Sequence, residues 1–410
     1  MLFNLIDYTK SLKLDHLSKR MPWSEYEKRI SRTKKVLKEN GLDIGIAYGS
    51  EFRPGDTGWL TGYDPTVEAS MVVVGSKNSF ILGGPSFIGY AKESSQGVEY
   101  RLCKELSIKE EYGNHEFHDL RNILREACGE NVHKIGILTP SDVITTGALE
   151  FISSITDAEI VMFDQYLLKA RYEKSENEQE MIRIATKISD WAIEAAIRTA
   201  KPGVRELEVS AAADYVMKYS GSARAGIITI VMSGDRISIV GVPGSNKTIN
   251  EGDLITISCC ARWEGLNGLC GRTFVAGGKP NSDQEAFLAI LEKAFQLALG
   301  HFKFGLPARD VDAIPRQFLR KQGLAPFYST AHNTGWTECM EGFGGFTSSS
   351  DYAIPKNIAH MIDIGVFNIQ FRDIKTNQLG GRIEDTIIIN TVGITEHLNS
   401  MPLRVDSMNR

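Results

Sequence analysis

The stretch GDLITISCCARWEGLNGLCGRTF, residues 252–274, decides the fold of this chain. Its first part, 254–261, is an uninterrupted run of apolar, β-branched and small residues, which predicts a strand. Alternate residues of a strand share one face, so Thr256, Ser258 and Cys260 are expected on one face and Cys259 on the other. If Ser258 faces a pocket, Cys260 is expected to face the same pocket.

Helices and further strands surround this run on both sides. Ser175-Glu176-Asn177-Glu178 has capping-box spacing and predicts a long helix ending near Ala200, where Lys201-Pro202-Gly203 stops it. Further helices are predicted over 206–219, 283–300 and 308–322, and strands over 227–232, 362–371 and 383–390. Strands mixed with pairs of helices indicate an α+β domain with an antiparallel or mixed sheet.

The first part of the chain has a different pattern. Short strands are predicted over 44–47, 71–74, 80–82, 134–138 and 159–163, with helices near 117–128 and 143–155. A capping box at Ser24 predicts a helix that runs to Asn40, before Gly41. We therefore predict a small N-terminal α/β domain over 1–168 and a larger α+β domain over 169–410.

Composition restricts the class of protein. The chain has 410 residues, of which 42% are hydrophobic and 24% charged, with a formal net charge of −5. These values are typical of a globular protein, and the acidic balance argues against a nucleic-acid partner. No apolar run reaches the roughly 18–20 residues that span a bilayer, so no membrane partner is expected. Six cysteines without a CxxC motif, and no secretory signal at the N-terminus, predict a cytoplasmic location.

Several motifs resemble, in order, those of the creatinase and aminopeptidase P superfamily. The stretch 252–274 is similar to its paired-strand motif, and AHNTG at 331–335 is similar to its Gly-His-Gly-x-Gly segment. GRIEDT at 381–386 resembles its closing Arg-Ile-Glu-Asp strand, and TGWLTGY at 57–63 resembles a stretch of its smaller domain. The resemblance implies a pita-bread catalytic domain after a small N-terminal domain, in a homodimer.

The departures from that superfamily bear on function. Its metallopeptidases hold two metal ions with two Asp, one His and two acidic residues, because adjacent cations need bridging anionic oxygens. By the resemblance, the two Asp positions fall on Ser258 and Leu269, and the others on His332, Asp363 and Glu384. A leucine cannot bind a metal and a neutral serine binds it poorly. We therefore predict no dinuclear centre and no required cofactor, although a single divalent metal at the three remaining residues is compatible with the sequence.

The resemblance to creatinase, the metal-independent member of the superfamily, is also incomplete. Creatinase uses a histidine upstream of the Gly-Asp turn as general acid/base, and the corresponding stretch IVGVP at 239–243 contains none. The carboxylate that creatinase carries just before its Arg-Thr pair is Gly271 here. Creatine is therefore a doubtful substrate.

The catalytic candidates follow from these positions. His332 is predicted to shuttle protons, and Asp363 and Glu384 to orient it or to act as base. The two acids could equally form a structural pair with Arg382. Glu341 is a further candidate, because Cys339-Met340-Glu341 lies one residue away from a His-Glu pair of the superfamily.

Two other positions carry sharper hypotheses. Cys260, on the face shared with the substrate-binding candidate Ser258, could supply a thiolate nucleophile or simply fill space left by the lost metals. Arg53, in a loop of the smaller domain, could bind a substrate carboxylate, or it could be an ordinary exposed arginine.

The leading hypothesis from the sequence is a metal-independent, creatinase-like hydrolase that cleaves a C–N bond of a small polar or charged molecule by general acid/base catalysis. Three alternatives stay open. They are a lyase or cyclase that abstracts a proton from a small acid, a peptidase similar to Xaa-Pro aminopeptidases, and a non-catalytic pita-bread protein that binds a partner.

Overall fold

The computed structural model describes residues 3–95, 97–108, 113–337, 341, 344–372, 374 and 379–409. The chain divides into two compact units, one of residues Met21–Arg171 and one that joins Met1–Arg20 to Tyr172–Arg410. The predicted domains, 1–168 and 169–410, differ from this division mainly in the placement of the first twenty residues.

The unit Met21–Arg171 is built on a mixed six-stranded sheet in the order β4-β3-β2-β1-β5-β6. Strand β1 pairs antiparallel with β2 and parallel with β5, and Ile44, Ile46, Val73 and Ile135 lie in the core of this unit. Its strands are β1 (Ile44–Gly49), β2 (Ser70–Gly75), β3 (Ser79–Gly83), β4 (Glu99–Leu102), β5 (Lys134–Ile137) and β6 (Glu159–Met162). Its helices are α2 (Trp23–Glu39), α3 (Gly55–Thr61), α4 (Ile88–Ser94), α5 (Leu120–Cys128), α6 (Thr146–Ser154) and α7 (Gln165–Tyr172).

The predicted start of α2 is wrong. The helix begins at Trp23 with Pro22 as its N-cap, and no side chain caps it. Pro22 is extended, with φ −64° and ψ 142°, and the next residue, Trp23, is already helical, so the chain enters the helix before Ser24. Ser24 therefore lies inside the first turn rather than at the cap.

The larger unit carries an antiparallel sheet in the order β10-β11-β12-β9-β8-β7, with β13 paired to β12. Its strands are β7 (Ile230–Ser233), β8 (Leu254–Trp263), β9 (Leu266–Val275), β10 (Ala331–Asn333), β11 (Ile358–Ile369), β12 (Leu379–Ile389) and β13 (Thr395–His397). Its helices are α1 (Leu5–Lys10), α8 (Glu176–Thr199), α9 (Glu206–Tyr219), α10 (Ser282–His301) and α11 (Ala308–Lys321).

Helix α8 confirms the predicted capping box. The Ser175 side chain accepts from the Glu178 N–H, and the Glu178 carboxylate accepts from the Ser175 N–H. The helix lies close against β9, where a Cβ added at Gly268 would come within 2.3 Å of the Thr186 backbone nitrogen. Glycine at 268 is therefore required for this close approach.

The first twenty residues belong to the larger unit, to which several side-chain contacts attach them. The Tyr8 hydroxyl donates to the Trp191 carbonyl, and His16 Nε2 hydrogen-bonds to the Ser220 carbonyl at 2.9 Å. The Trp263 indole N–H donates to the Lys19 carbonyl. None of these partners is near 1–20 in sequence, which explains why the sequence pattern did not indicate them.

Candidate active site

A two-residue turn sets the register of the candidate site. Strands β8 and β9 are joined by Glu264 and Gly265, both with positive φ, as a type I′ hairpin requires. The resulting register pairs Ser258 with Gly271 and Cys260 with Leu269, so all four lie on one face of the sheet. In this register Ser258 and Cys260 lie on the same face, as strand alternation predicts.

The two acids lie directly opposite each other on the next pair of strands. Asp363 of β11 pairs with Glu384 of β12, and Glu384 in turn pairs with Gly271 of β9. A Cβ added at Gly271 would lie 2.9 Å from Ser258 Oγ and 3.0 Å from Glu384 Cβ. The bare glycine therefore brings Ser258 and Glu384 close together across the sheet.

His332 completes the group from the short strand β10. Its Nε2 lies 3.3 Å from Glu384 Oε1, and its Nδ1 lies 3.2 Å from the Asn333 carbonyl oxygen. The imidazole is about one-fifth exposed, whereas both acids are buried. The structure thus brings together His332, Asp363 and Glu384, with one ligand-type atom from each within 4.8 Å of the others.

Arg382 lies between the acids on the same face of β12. Its Nε is 3.1 Å from Asp363 Oδ1, and its Nη1 is 3.6 Å from Glu384 Oε2 and 3.4 Å from Ser258 Oγ. The hydroxyl of Tyr328 accepts from Nη2 at 2.6 Å and from Nε at 3.0 Å. Asp363 and Glu384 are therefore paired with Arg382, as the alternative from the sequence proposed.

Sequence reasoning missed Tyr328. This side chain comes from the loop before β10, and it carries no motif that would point to the site. Its only sequence clue is position, because it lies four residues before His332.

Burial and charge perturb the ionisable groups of the site. Burial raises the pKa of the Asp363 carboxyl to about 7, while Arg382 opposes this rise and Glu384 adds to it. Burial also raises the pKa of the Tyr328 hydroxyl, and Asp363 adds to that rise. For Arg382, burial lowers the pKa, but Asp363, Tyr328 and Glu384 outweigh it and hold the guanidinium firmly protonated.

A dinuclear metal centre does not fit these residues. At the second Asp position, Leu269 packs in an apolar cluster with Cys260 and Met361, and all three are fully buried. At the first, Ser258 offers a neutral hydroxyl that already accepts from Arg382. A single ion fits the donor set better, since among the described residues Asp363 Oδ1 and Glu384 Oε2 accept no hydrogen bond.

The group of His332, Asp363 and Glu384 does not include the other predicted site residues. Cys260 is buried against Leu269 and Met361, which suits the space-filling alternative, and its nucleophile role stays a prediction. Glu341 is buried and accepts from the Thr337 backbone N–H at 2.8 Å, while Cys339 and Met340 lie outside the described residues. Arg53 lies in the smaller unit, where its backbone pairs with Ser50, and its role also stays a prediction.

Solved structures establish the fold class. The prolidase from Pyrococcus horikoshii matches 92% of this chain and 99% of its own with a TM-score of 0.76 at 22% identity. An X-Pro aminopeptidase from Thermotoga maritima matches 92% of this chain and 98% of its own with a TM-score of 0.77 at 20% identity. The expected pita-bread fold, with a small N-terminal domain and a C-terminal catalytic domain, is confirmed.

The family follows from the sequence. The family model described as "Metallopeptidase family M24" matches residues 180–391, which is more than half of the chain. The chain therefore belongs to this family. The Xaa-Pro dipeptidase of Pyrococcus furiosus is 26% identical over 372 residues, 90% of this chain and 96% of that protein. The predicted membership of the creatinase and Xaa-Pro peptidase hydrolases is thereby confirmed. These relatives favour the peptidase alternative over the leading hypothesis of a metal-independent, creatinase-like enzyme.

Proposed function

We propose that this chain hydrolyses the amide C–N bond of a small, dipeptide-sized substrate, with Xaa-Pro dipeptides as the first class to test. The observation that carries the proposal is the convergence of His332, Asp363 and Glu384 on one face of the sheet. The similarity to a protein named Xaa-Pro dipeptidase, over 96% of that protein, supports the substrate class.

The side chains supply general acid and base. Asp363, with a pKa raised to about 7, accepts a proton from water as the water oxygen attacks the amide carbon. His332, oriented through its Nε2 contact with Glu384, donates a proton to the leaving nitrogen as the C–N bond breaks. The products are a carboxylic acid and an amine; Asp363 then releases the proton taken from water and His332 takes up a proton in its place, so no net proton is gained or lost.

The metal requirement of the family is met here by one ion at most. His332, Asp363 and Glu384 would hold it, and a bound divalent ion would polarise the substrate carbonyl. A bound ion would occupy the same side chains, so the general acid and base steps described above apply to the metal-free site.

A second candidate function is metal-independent cleavage of a C–N bond in a small polar or charged molecule other than a dipeptide. Ser258 and Leu269 favour it, because they place a hydroxyl and an apolar side chain at the two positions where the resemblance expects Asp ligands. Small amides and amidines are the substrates to test for this candidate.

The test is proline release from Ala-Pro and Leu-Pro, with Ala-Ala and a panel of small amides alongside, in buffer with and without EDTA. Proline release that is lost in His332→Ala supports the proposal, and amide cleavage without proline release supports the second candidate. Product analysis in ¹⁸O-labelled water separates hydrolysis from elimination or cyclisation, since only hydrolysis incorporates solvent oxygen. No turnover of any substrate by the folded protein would favour a non-catalytic binding role.

We also propose that the protein works as a cytoplasmic homodimer on a small-molecule substrate. Among the described residues, no helix combines the length and apolar character needed to cross a bilayer. Light scattering after size-exclusion chromatography tests the dimer, and fractionation of the source cells tests the location.

A further inference from the structure

We infer that the hydroxyl of Tyr328 is the hydrogen-bond donor to the carbonyl oxygen of the substrate amide, where negative charge develops as water attacks. The inference deepens the proposed amide hydrolysis and rests on it. Tyr328 is then a catalytic residue of the same site, beside the base Asp363 and the acid His332. A donor aimed at this oxygen stabilises the transition state more than the bound substrate, which raises the rate.

The contacts of the Tyr328 hydroxyl with Arg382 leave its proton for another acceptor. Arg382 Nη2 donates to the hydroxyl oxygen at 2.6 Å, and Arg382 Nε donates to it at 3.0 Å. A hydroxyl has two lone pairs and one proton, so both lone pairs are engaged. The O–H bond therefore points away from the guanidinium. The cation on the acceptor side also strengthens the hydrogen bond that this hydroxyl donates.

The hydroxyl lies next to the base of the proposed mechanism. Arg382 Nε is 3.0 Å from the Tyr328 hydroxyl and 3.1 Å from Asp363 Oδ1, so both oxygens lie against one nitrogen. Gly365 follows Asp363 by two residues and shares its face of β11. A Cβ added at Gly365 would lie 2.2 Å from the Tyr328 hydroxyl oxygen, so the bare glycine leaves room for this hydroxyl. The base and the donor are therefore close enough to act on the same amide group.

The surroundings of Tyr328 hold it in place. The Phe327 N–H donates to the Gly365 carbonyl at 2.9 Å, and Arg316 donates to the Tyr328 carbonyl at 2.8 Å. The ring centre of Tyr328 lies 5.9 Å from that of Phe327 and 6.4 Å from that of Phe367. The hydroxyl is thus fixed before a substrate binds, and this preorganisation is what makes a donor effective in catalysis.

The charges of the site favour donation in the transition state. Burial raises the pKa of the Tyr328 hydroxyl, and the charge of Asp363 raises it further, so the proton stays on the tyrosine oxygen. In the free site the ionised Asp363 competes for the hydrogen bond. As Asp363 takes a proton from water, it loses its negative charge while the substrate oxygen gains one. The hydrogen bond of Tyr328 therefore shifts to the substrate oxygen, and no proton leaves the tyrosine.

The test is steady-state hydrolysis of the Xaa-Pro dipeptide that the wild type cleaves fastest, by the wild type, Tyr328→Phe and the control Tyr100→Phe. Tyr100 lies in the smaller unit and donates to the Ser95 carbonyl, so its variant loses a hydroxyl in the same way. We expect Tyr328→Phe to lower kcat by about 10²-fold and to change KM by less than about threefold. Tyr100→Phe should match the wild type.

The thioamide analogue of the same dipeptide separates contact with the substrate from a structural role. Its sulfur is a weaker hydrogen-bond acceptor than the amide oxygen, so the wild type should cleave the amide faster. The ratio of the two rates should fall about tenfold in Tyr328→Phe, because the lost donor served the oxygen. A lower rate with an unchanged ratio would mean that Tyr328 only holds Arg382, and this result would overturn the inference. A full rate in Tyr328→Phe would overturn it as well.

A second variant decides if circular dichroism shows that Tyr328→Phe does not fold. Gly365→Ala keeps the hydroxyl but places a methyl group against it, since the added Cβ would lie 2.2 Å from the hydroxyl oxygen. A lower ratio of amide to thioamide cleavage in Gly365→Ala supports the inference, and an unchanged ratio refutes it.

The same measurements separate the inference from the proposed function. A wild type that cleaves the dipeptide, with Tyr328→Phe equally active, leaves the proposed function standing and removes the inference alone. A wild type that cleaves no amide, with or without added divalent metal, removes both, because the inference rests on amide hydrolysis.

Discussion

His332 Nε2 lies 3.3 Å from Glu384 Oε1, although the two residues belong to strands that are not neighbours in the sheet. Strand β11, with Asp363, lies between them in the strand order. The imidazole is therefore oriented by a carboxylate two strands away, and the intervening strand contributes the third member of the group.

Removing the charge of Glu384 is expected to impair catalysis more than folding. In Glu384→Gln the amide keeps the shape but loses the negative charge that stabilises a protonated His332, so kcat should fall by about 10²-fold or more. Steady-state hydrolysis of the best substrate measures this. Glu396→Gln, a partly exposed acid paired with Arg183, should keep full activity. Equal rates in the two variants would remove Glu384 from the mechanism.

The activity is expected to depend on pH through Asp363. The base must be ionised, and burial raises its pKa to about 7, so kcat/KM should fall roughly tenfold per pH unit below about pH 7. A pH profile of the wild type measures this, with Asp351→Asn, an exposed aspartate, as the control. An acid limb near pH 4 would show that Asp363 is not the base.

Restoring two carboxylates is expected to restore metal affinity. The double variant Ser258→Asp, Leu269→Asp adds two negative charges to the face that holds Asp363 and Glu384, so Mn²⁺ should bind at least tenfold more tightly than to the wild type. Calorimetry measures the affinity, and Mn²⁺ should also raise the melting temperature of this variant. The neutral pair Ser258→Asn, Leu269→Asn is the matched control, and a similar Mn²⁺ affinity in both pairs would contradict the expectation.

His360 is expected to make the fold sensitive to acid. Its imidazole is fully buried, and burial lowers its pKa from 6.5 to about 3, while its Nε2 hydrogen-bonds to the Gly344 carbonyl. Between pH 6.5 and 3 the unfolded chain binds a proton that the folded chain does not. The free energy of unfolding should therefore fall as the pH falls, by up to about 1.4 kcal/mol per pH unit from this group. Urea unfolding at pH 7 and 5 measures this loss, which should be smaller in His360→Asn.

Glu206 is expected to hold the loop 234–245 in place. This fully buried carboxylate accepts from the Ser233 and Ser245 backbone N–H groups and from both serine hydroxyls, and it pairs with Arg236. Glu206→Ala leaves those donors unpaired and should lower the free energy of unfolding by about 3 kcal/mol. Asp235→Ala, an exposed acid in the same loop, should change it by less than about 0.5 kcal/mol. Chemical denaturation of both variants makes the comparison.

The elements with a strong local pattern were predictable from the sequence. The capping box at Ser175 fixed the start of α8, and helix α9 occupies the predicted range. The face shared by Ser258 and Cys260 followed from strand alternation alone. In each case neighbouring residues carry the information, so no distant contact was needed.

What escaped prediction depends on contacts between distant segments. No residue near Tyr328 in sequence indicates that its hydroxyl accepts a hydrogen bond from Arg382. Likewise, no residue near Tyr8 indicates that its hydroxyl donates to the Trp191 carbonyl. At Ser24 the local pattern was misleading, because the helix begins at Trp23 with Pro22 as its N-cap. The sequence also left open whether Asp363 and Glu384 pair with Arg382 or serve catalysis, and the structure shows contacts that suit both.

The alternation of side chains along β12 has a consequence for how such a site can change over evolutionary time. Glu384 faces the candidate site, whereas Asp385 faces the other side of the sheet, where it forms a fully buried pair with Arg272 and contacts His397. The candidate site residue and the structural residue thus occupy adjacent positions of one strand, on opposite faces. Point substitutions at 382 and 384 can therefore change the candidate site during evolution. The buried pair of Arg272 and Asp385 on the other face still stabilises the strand.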